Sequence, residues 1–300
     1  METATKDRIR RLAKEKNAII LAHNYQPPEI QDIADLCGDS LELSIRASRT
    51  EADIIVFCGV HFMAETASIL SPEKRVLLPR ENAGCPMADM MPAEALKERI
   101  GHYKGIPVVT YVNSTAEVKA LTTVCCTSAN SIAVANSLDA AEILMVPDRN
   151  LARYTAAKTD KIIHTWEGFC PIHDGLSPEA VIRQKQAHPE ALFMAHPECR
   201  AEVLALADVV TSTSGMLRYA KESDRMEFIV GTEIGLLYPL KQANPHKTFY
   251  PAAENMICPD MKKITLEDVA KSLEDLSPEV KVPEHIRKPA FEAVRRMIEL

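Results

Sequence analysis

Glycine is scarce, at 10 of 300 residues. The chain nowhere spells the G-x-G-x-x-G of a dinucleotide fold, the glycine-rich P-loop or the H-E-x-x-H of a zinc hydrolase, so three common enzyme readings fall away together. No stretch approaches the roughly 20 apolar residues of a membrane span. Residues 1–16 are charged and lack the apolar core of a signal peptide. A cytoplasmic protein without membrane attachment is the expectation. Positive charge is not in excess: 35 Lys and Arg stand against 42 Asp and Glu, a net charge of −7. That balance argues against nucleic acid as a partner, and any anionic ligand must find a local positive site. C-x-x-C spacing, the usual mark of structural zinc, is missing as well.

What is present has globular proportions, with 46% apolar and 26% charged residues. The length suits two or three small domains better than one core. Eight cysteines in a cytoplasmic chain read as thiols or metal ligands rather than disulfides.

The chain repeats itself. Short Val- and Ile-rich runs recur at 18–22, near Leu36, at 54–58 and 75–79; then at 107–112, 124–127, 142–146 and 161–165; then at 191–195, 208–212, 227–230 and 247–250. Helical patterns such as 28–34, 116–121 and 200–206 follow the first strand of each set. This rhythm predicts parallel sheets with right-handed crossovers. About twelve strands do not fit a single eight-stranded barrel. Three α/β/α domains fit, each with a four-stranded, mainly parallel sheet.

Shortly after the fourth strand, each third carries a cysteine followed by proline, at Cys85, Cys170 and Cys258, spaced 85 and 88 residues apart. Composition alone predicts roughly 0.5 Cys-Pro pairs in the whole chain. Functional groups of doubly wound domains gather beyond the carboxyl ends of their strands. Three related domains with those ends facing a pseudo-threefold axis would bring the three cysteines together, and thiolates select soft metals or iron–sulfur clusters. The competing readings are packing thiols duplicated with the domains, and a zinc site that would still need a fourth ligand. Cys37, Cys58, Cys125, Cys126 and Cys199 are out of register and read as packing thiols.

Polar groups repeat in the same way. His23, Asn24 and Tyr25, then Tyr111 and Asn113, then His196 and Glu198 follow the first strands. Asp39 and Ser40, then Thr127 and Ser128, then 211–215 follow the second strands, where they serve as helix N-caps or as an anion cradle. Residues 59–61, 147–150 and 231–233 follow the third strands and read as structural turns or interdomain ties. His173, three residues past Cys170, either touches substrate or supports its loop.

These residues closely resemble the quinolinate synthase family of bacterial and archaeal NAD biosynthesis. The resemblance rests on L-A-H-N-Y-Q at 21–26, G-D-S at 38–40, Y-V-N-S-T at 111–115, T-S-A-N at 127–130, P-D-R-N-L at 147–151, H-P-E-C at 196–199 and G-T-E-I-G at 231–235. It implies three pseudo-threefold α/β/α domains around a central cluster site; with the repeat these run 1–84, 85–169 and 170–258, and by the repeat logic C-terminal helices in 259–300 are expected to pack back on the first. It implies one [4Fe–4S] cluster per chain, held by Cys85, Cys170 and Cys258 with one open iron. The implied reaction condenses iminoaspartate with dihydroxyacetone phosphate to quinolinate, with loss of phosphate and two waters.

The resemblance also carries substrate contacts onto His23, Ser40, Tyr111, Asn113, Ser128, His196, Glu198 and Thr213, with His173 and Ser212 as further candidates. Glu198 is the expected general base and Tyr25 the expected proton-transfer group, beside His23 and His196. Which hydroxyl in 211–214 binds substrate is left open by the sequence. An aspartate oxidase or dehydrogenase would supply the imine. A different hydro-lyase with a three-cysteine cluster is the rival enzyme. An electron carrier is disfavoured, because carriers generally bind all four irons through protein thiolates.

Overall fold

The computed structural model describes residues 2–103 and 105–300. The first sheet contains β1 (Ala18–His23), β2 (Leu36–Gly38), β3 (Ile54–Cys58) and β4 (Arg75–Leu77). The second contains β5 (Val108–Tyr111), β6 (Val124–Cys126), β7 (Glu142–Val146) and β8 (Ile162–Thr165). The third contains β9 (Leu192–Ala195), β10 (Val209–Val210), β11 (Glu227–Gly231) and β12 (Thr248–Pro251). Their orders are β2-β1-β3-β4, β6-β5-β7-β8 and β10-β9-β11-β12. Every pairing is parallel. The same permutation occurs three times, and helices cover the sheets as the repeat predicts.

Sequence explains the inner strands directly. A parallel strand covered on both faces must be apolar along its whole length, and all five residues of β3 are buried. Edge strands carry less information. Residues 208–212 read as a full strand, but β10 keeps only two residues because Ser212 leaves the sheet to cap the next helix. Helical readings 28–34 and 200–206 likewise shrink to Pro28–Gln31 and Ala201–Leu204.

Helices start just beyond strand ends, and four of them are fixed there by a side-chain cap. Asp39 forms a reciprocal capping box with Glu42, while Thr115, Asp148 and Ser212 accept from Val118, Leu151 and Gly215 amides. These caps place helix N-termini on the same side as the strand carboxyl ends.

The C-terminal segment stitches the units together. The Leu266–Asp275 helix packs on the Glu2–Glu15 helix, where Arg8 pairs with Glu267 and Glu274. Leu77 and Glu279 then form an antiparallel bridge on edge strand β4. The Glu284–Glu299 helix lies against the Ala116–Ala120 helix and β6 and also against the His61–Leu70 helix, so it spans the first and second sheets. Among the described residues no helix is long and apolar enough to cross a membrane.

Candidate functional site

β1 and β9 end in the same local device. His23 Nδ1 accepts the Tyr25 amide at 3.1 Å, and His196 Nδ1 accepts the Glu198 amide at 3.3 Å. Each ring thereby turns its own chain and fixes the direction of the residue two positions on. All four side chains are buried. The third equivalent, β5, ends in Tyr111, also buried.

Two adjoining cavities lie beyond these strand ends. The larger, of about 360 Å³, is lined by Cys85, Cys170 and Cys258 together with His173, Tyr25, Asn113 and Glu198. The smaller, of about 50 Å³, is lined by His23, Ser40, Tyr111, Ser128, His196 and Thr213. Tyr25, Asn113 and Glu198 belong to both walls. Of the catalytic, substrate-binding and metal-ligating candidates named from sequence, only Ser212 lines neither cavity.

Glu198 is the electrostatic centre. Its Oε2 lies 2.8 Å from His173 Nδ1 and 3.2 Å from His196 Nδ1. Burial pushes the Glu198 carboxyl up, but the two imidazoles outweigh it and the net displacement is downward. Its Oε1 is buried without a hydrogen-bond partner. The carboxylate therefore has one oxygen held and one unclaimed. Burial drives His23 down to about 3, with the charge of His196 next in effect, so this ring is neutral near pH 7. Burial also raises the Tyr25 and Tyr111 phenols well above their usual range, keeping both protonated.

A hydrogen-bonded chain joins Tyr25 to Glu198. Tyr25 Oη lies 2.5 Å from Thr232 Oγ1, and Thr232 Oγ1 lies 2.8 Å from His173 Nε2. His173 Nδ1 lies 2.8 Å from Glu198 Oε2 and 3.2 Å from Cys170 Sγ; a carboxylate only accepts, so that nitrogen carries the proton and faces both groups.

The structure sorts the hydroxyls that the sequence left open. Ser212 donates to Asp39 and accepts the Gly215 amide, so it is an N-cap turned toward the first unit. Ser214 is held by Glu42. Thr213 receives Asn24 Nδ2 at 3.0 Å and is the hydroxyl of this group on the cavity wall. Close packing here demands glycine: a Cβ on Gly215 would lie 1.9 Å from Thr211 Oγ1.

The three register cysteines are half-buried, and burial raises all three thiols, Cys85 to about 12. Thiols held this way are poor nucleophiles and become thiolates only when a metal displaces the proton. Three sulfurs on one cavity suit a soft metal or an iron–sulfur cluster. Cys170, His173 and Glu198 also bring donor atoms within 4.8 Å of one another. Of the out-of-register cysteines, Cys58, Cys125, Cys126 and Cys199 are core residues and Cys37 packs against the core.

Sequence reasoning set aside several residues that the site uses. Asp148, Thr232 and Glu233 read as turns, yet Asp148 and Glu233 bond cysteine amides and Thr232 joins the chain to Glu198. Their signal was present in the repeat, since all three follow third strands. Phe62 and Met261, which line both cavities, gave no such signal.

Three parallel α/β units that turn polar strand ends and three thiols onto adjoining pockets define an enzyme acting on small molecules. Comparison with known proteins gives the family. Residues 7–299 match the family model described as Quinolinate synthetase A protein, and the chain belongs to that family. It is 56% identical over 293 residues to the quinolinate synthase of Geotalea uraniireducens (strain Rf4), covering 98% of this chain and 96% of the relative. It is 54% identical over 301 residues to that of Thermodesulfovibrio yellowstonii, covering 100% and 99%. Quinolinate synthase 1 of Methanosarcina acetivorans is 54% identical over 291 residues, covering 97% and 96%.

Proposed function

We propose that this chain condenses iminoaspartate with dihydroxyacetone phosphate to form quinolinate, releasing phosphate and two waters, as a cytoplasmic step of NAD biosynthesis. One observation carries the reading: three cysteines in repeat register line the same cavity as Glu198, whose Oε1 is buried and unclaimed. Cys85, Cys170 and Cys258 are the residues that would hold one [4Fe–4S] cluster. When bound, the cluster supplies Lewis acidity at the iron without a cysteine, easing departure of hydroxyl groups as water.

The protein residues do the rest. Ser40, Ser128 and Thr213 line the smaller cavity and offer hydroxyls to carboxylate or phosphate. The Ser40–Arg49 and Thr213–Glu222 helices open there and add their positive ends. His23, His196, Tyr111 and Asn113 orient the substrate, with neutral His23 suited to a carbonyl or amine. Glu198 takes a proton from the carbon or nitrogen undergoing condensation. His173 holds the carboxylate in place, and Thr232 links that pair to Tyr25, which donates or recovers a proton during ring closure. The units run 1–84, 85–169 and 170–258, so that Cys85 and Cys170 stand at the two unit boundaries and Cys258 at the end of the third, with 259–300 closing over the first unit. An aspartate oxidase or dehydrogenase is the expected source of the imine.

The test is product analysis. Anaerobically reconstituted protein given both substrates yields a pyridine dicarboxylate. Protein that carries its full iron and sulfide yet forms none would overturn the proposal.

A further inference from the structure

Each cysteine loop is tied down by a buried or half-buried carboxylate, and two of the three ties occupy equivalent positions in the repeat. Two residues beyond β7 stands Asp148; two residues beyond β11 stands Glu233. Asp148 Oδ1 accepts the Leu151 amide at 2.7 Å while Oδ2 accepts the Cys170 amide at 3.2 Å. Glu233 Oε2 accepts the Gly235 amide at 2.7 Å while Oε1 accepts the Cys258 amide at 3.2 Å. Both carboxylates are almost fully buried, at 1% and 0% exposure, and each spends one oxygen on its own turn and one on the cysteine. Gly235 belongs to the same device, because a Cβ there would meet Glu233 Oε2 and the Tyr25 carbonyl, both at 2.7 Å. Lys262 closes the far side by pairing with Glu233 at 2.9 Å and bonding that Tyr25 carbonyl.

The first unit breaks the pattern. The residue two positions beyond β3 is Val60, which has no acceptor in its side chain. There Asp260, two residues past Cys258, accepts the amide of Gly84 at 3.0 Å, one residue before Cys85.

We propose that Asp148 and Glu233 are positioning residues that set Cys170 and Cys258 in the ligating conformation before iron arrives, and that the Cys85 loop is positioned across the unit boundary by Asp260. This inference rests on the three cysteines being cluster ligands. The carboxylate has a requirement that an amide cannot meet: both its oxygens face N–H donors. Asp148→Asn and Glu233→Gln keep the side-chain volume but turn one acceptor into a donor, so either the turn or the cysteine amide loses its partner.

The experiment compares wild type, Asp148→Asn, Glu233→Gln and the surface control Glu117→Gln, all reconstituted anaerobically with iron and sulfide. It reads the rate of iron loss to an excess of chelator and the reduction potential of the bound cluster, with circular dichroism and thermal unfolding as fold checks. The expected result is about a tenfold or greater acceleration of iron loss in each carboxylate variant, the scale of one charge-assisted hydrogen bond, with a displaced potential and retained secondary structure. The control matches wild type. Asp260→Ala, which removes the acceptor of the Gly84 amide and leaves the other two ties intact, loses iron faster by the same assay. Carboxylate variants that keep iron and potential as wild type does would overturn the proposal. Wild type that takes up no iron and sulfide would instead overturn the cluster reading on which it rests.

Discussion

Replacing Glu198 with glutamine is the most direct probe of the site. The amide has the same volume, and its oxygen can still accept from His173 Nδ1, which lies 2.8 Å from Oε2 in the parent. The amide nitrogen then occupies the Oε1 position, where no partner exists. Geometry survives while charge and the free acceptor disappear. A general base contributes about 10²–10⁴ in rate, or about 2.7–5.4 kcal/mol of barrier. Turnover to pyridine dicarboxylate should fall by that factor with iron content and circular dichroism unchanged. The two imidazoles add a second expectation. They hold the carboxyl below its ordinary range, which ionises the base but weakens it, so activity should not show an acid limb set by an ordinary Glu near pH 4 to 5. A Glu198→Gln enzyme with parental turnover would refute the assignment, and loss of iron in that variant would recast Glu198 as a structural support.

Cys85→Ala, Cys170→Ala and Cys258→Ala should each abolish iron retention and product formation, because two thiolates hold a cluster poorly; any one that stays iron-replete and active contradicts the shared site. Ser212→Ala should lower unfolding free energy by about 0.5–2 kcal/mol, the worth of an N-cap, with KM unchanged. Thr213→Val should raise KM for substrate while leaving the denaturation midpoint nearly fixed, and the reverse pattern would reverse their roles. His23 should shape acid stability: burial holds the folded ring neutral down to about 3, while the unfolded ring protonates below its ordinary 6.5. Within that window the unfolded state binds the extra proton, so stability falls as pH drops from 6.5 toward 3, by up to about 5 kcal/mol. Denaturant melts of His23→Gln should show a shallower decline than the parent over that range; parallel curves would rule the effect out.

The fold was legible wherever burial dictates composition. β3 and β7 were bounded correctly from sequence because a strand covered on both faces must be apolar where it is buried: all of β3, and all of β7 but its exposed first residue, Glu142. β10 was overread because an edge strand of two residues leaves no period to detect, and the Ser and Thr beyond it serve as cap and cavity wall rather than sheet. The last helix illustrates another limit: its apolar face is visible in the sequence, but only tertiary packing decides that it reaches β6 as well as the first unit.

The site was half legible for a related reason. Register alone located the cysteines and the polar strand ends, since repeated position is information that one sequence contains. Roles within a run of similar side chains were not resolved, because Ser212 and Thr213 differ only in where the helix turns them. Lys119 shows the same limit more sharply. It sits in a short helix as a surface lysine would, but it is fully buried, with its ammonium bonded to the Ser114 carbonyl and 5.5 Å from the centre of the Phe62 ring.

The bridge between Leu77 and Glu279 has a consequence for biogenesis. A ribosome delivers the N-terminal sheet first, and domains generally fold as they emerge. The outer edge of β4 then waits, with its amide and carbonyl groups unpaired, until nearly the entire polypeptide has been translated. For that interval it is a docking ledge for other nascent chains, and arrival of the C-terminal strap is what withdraws it.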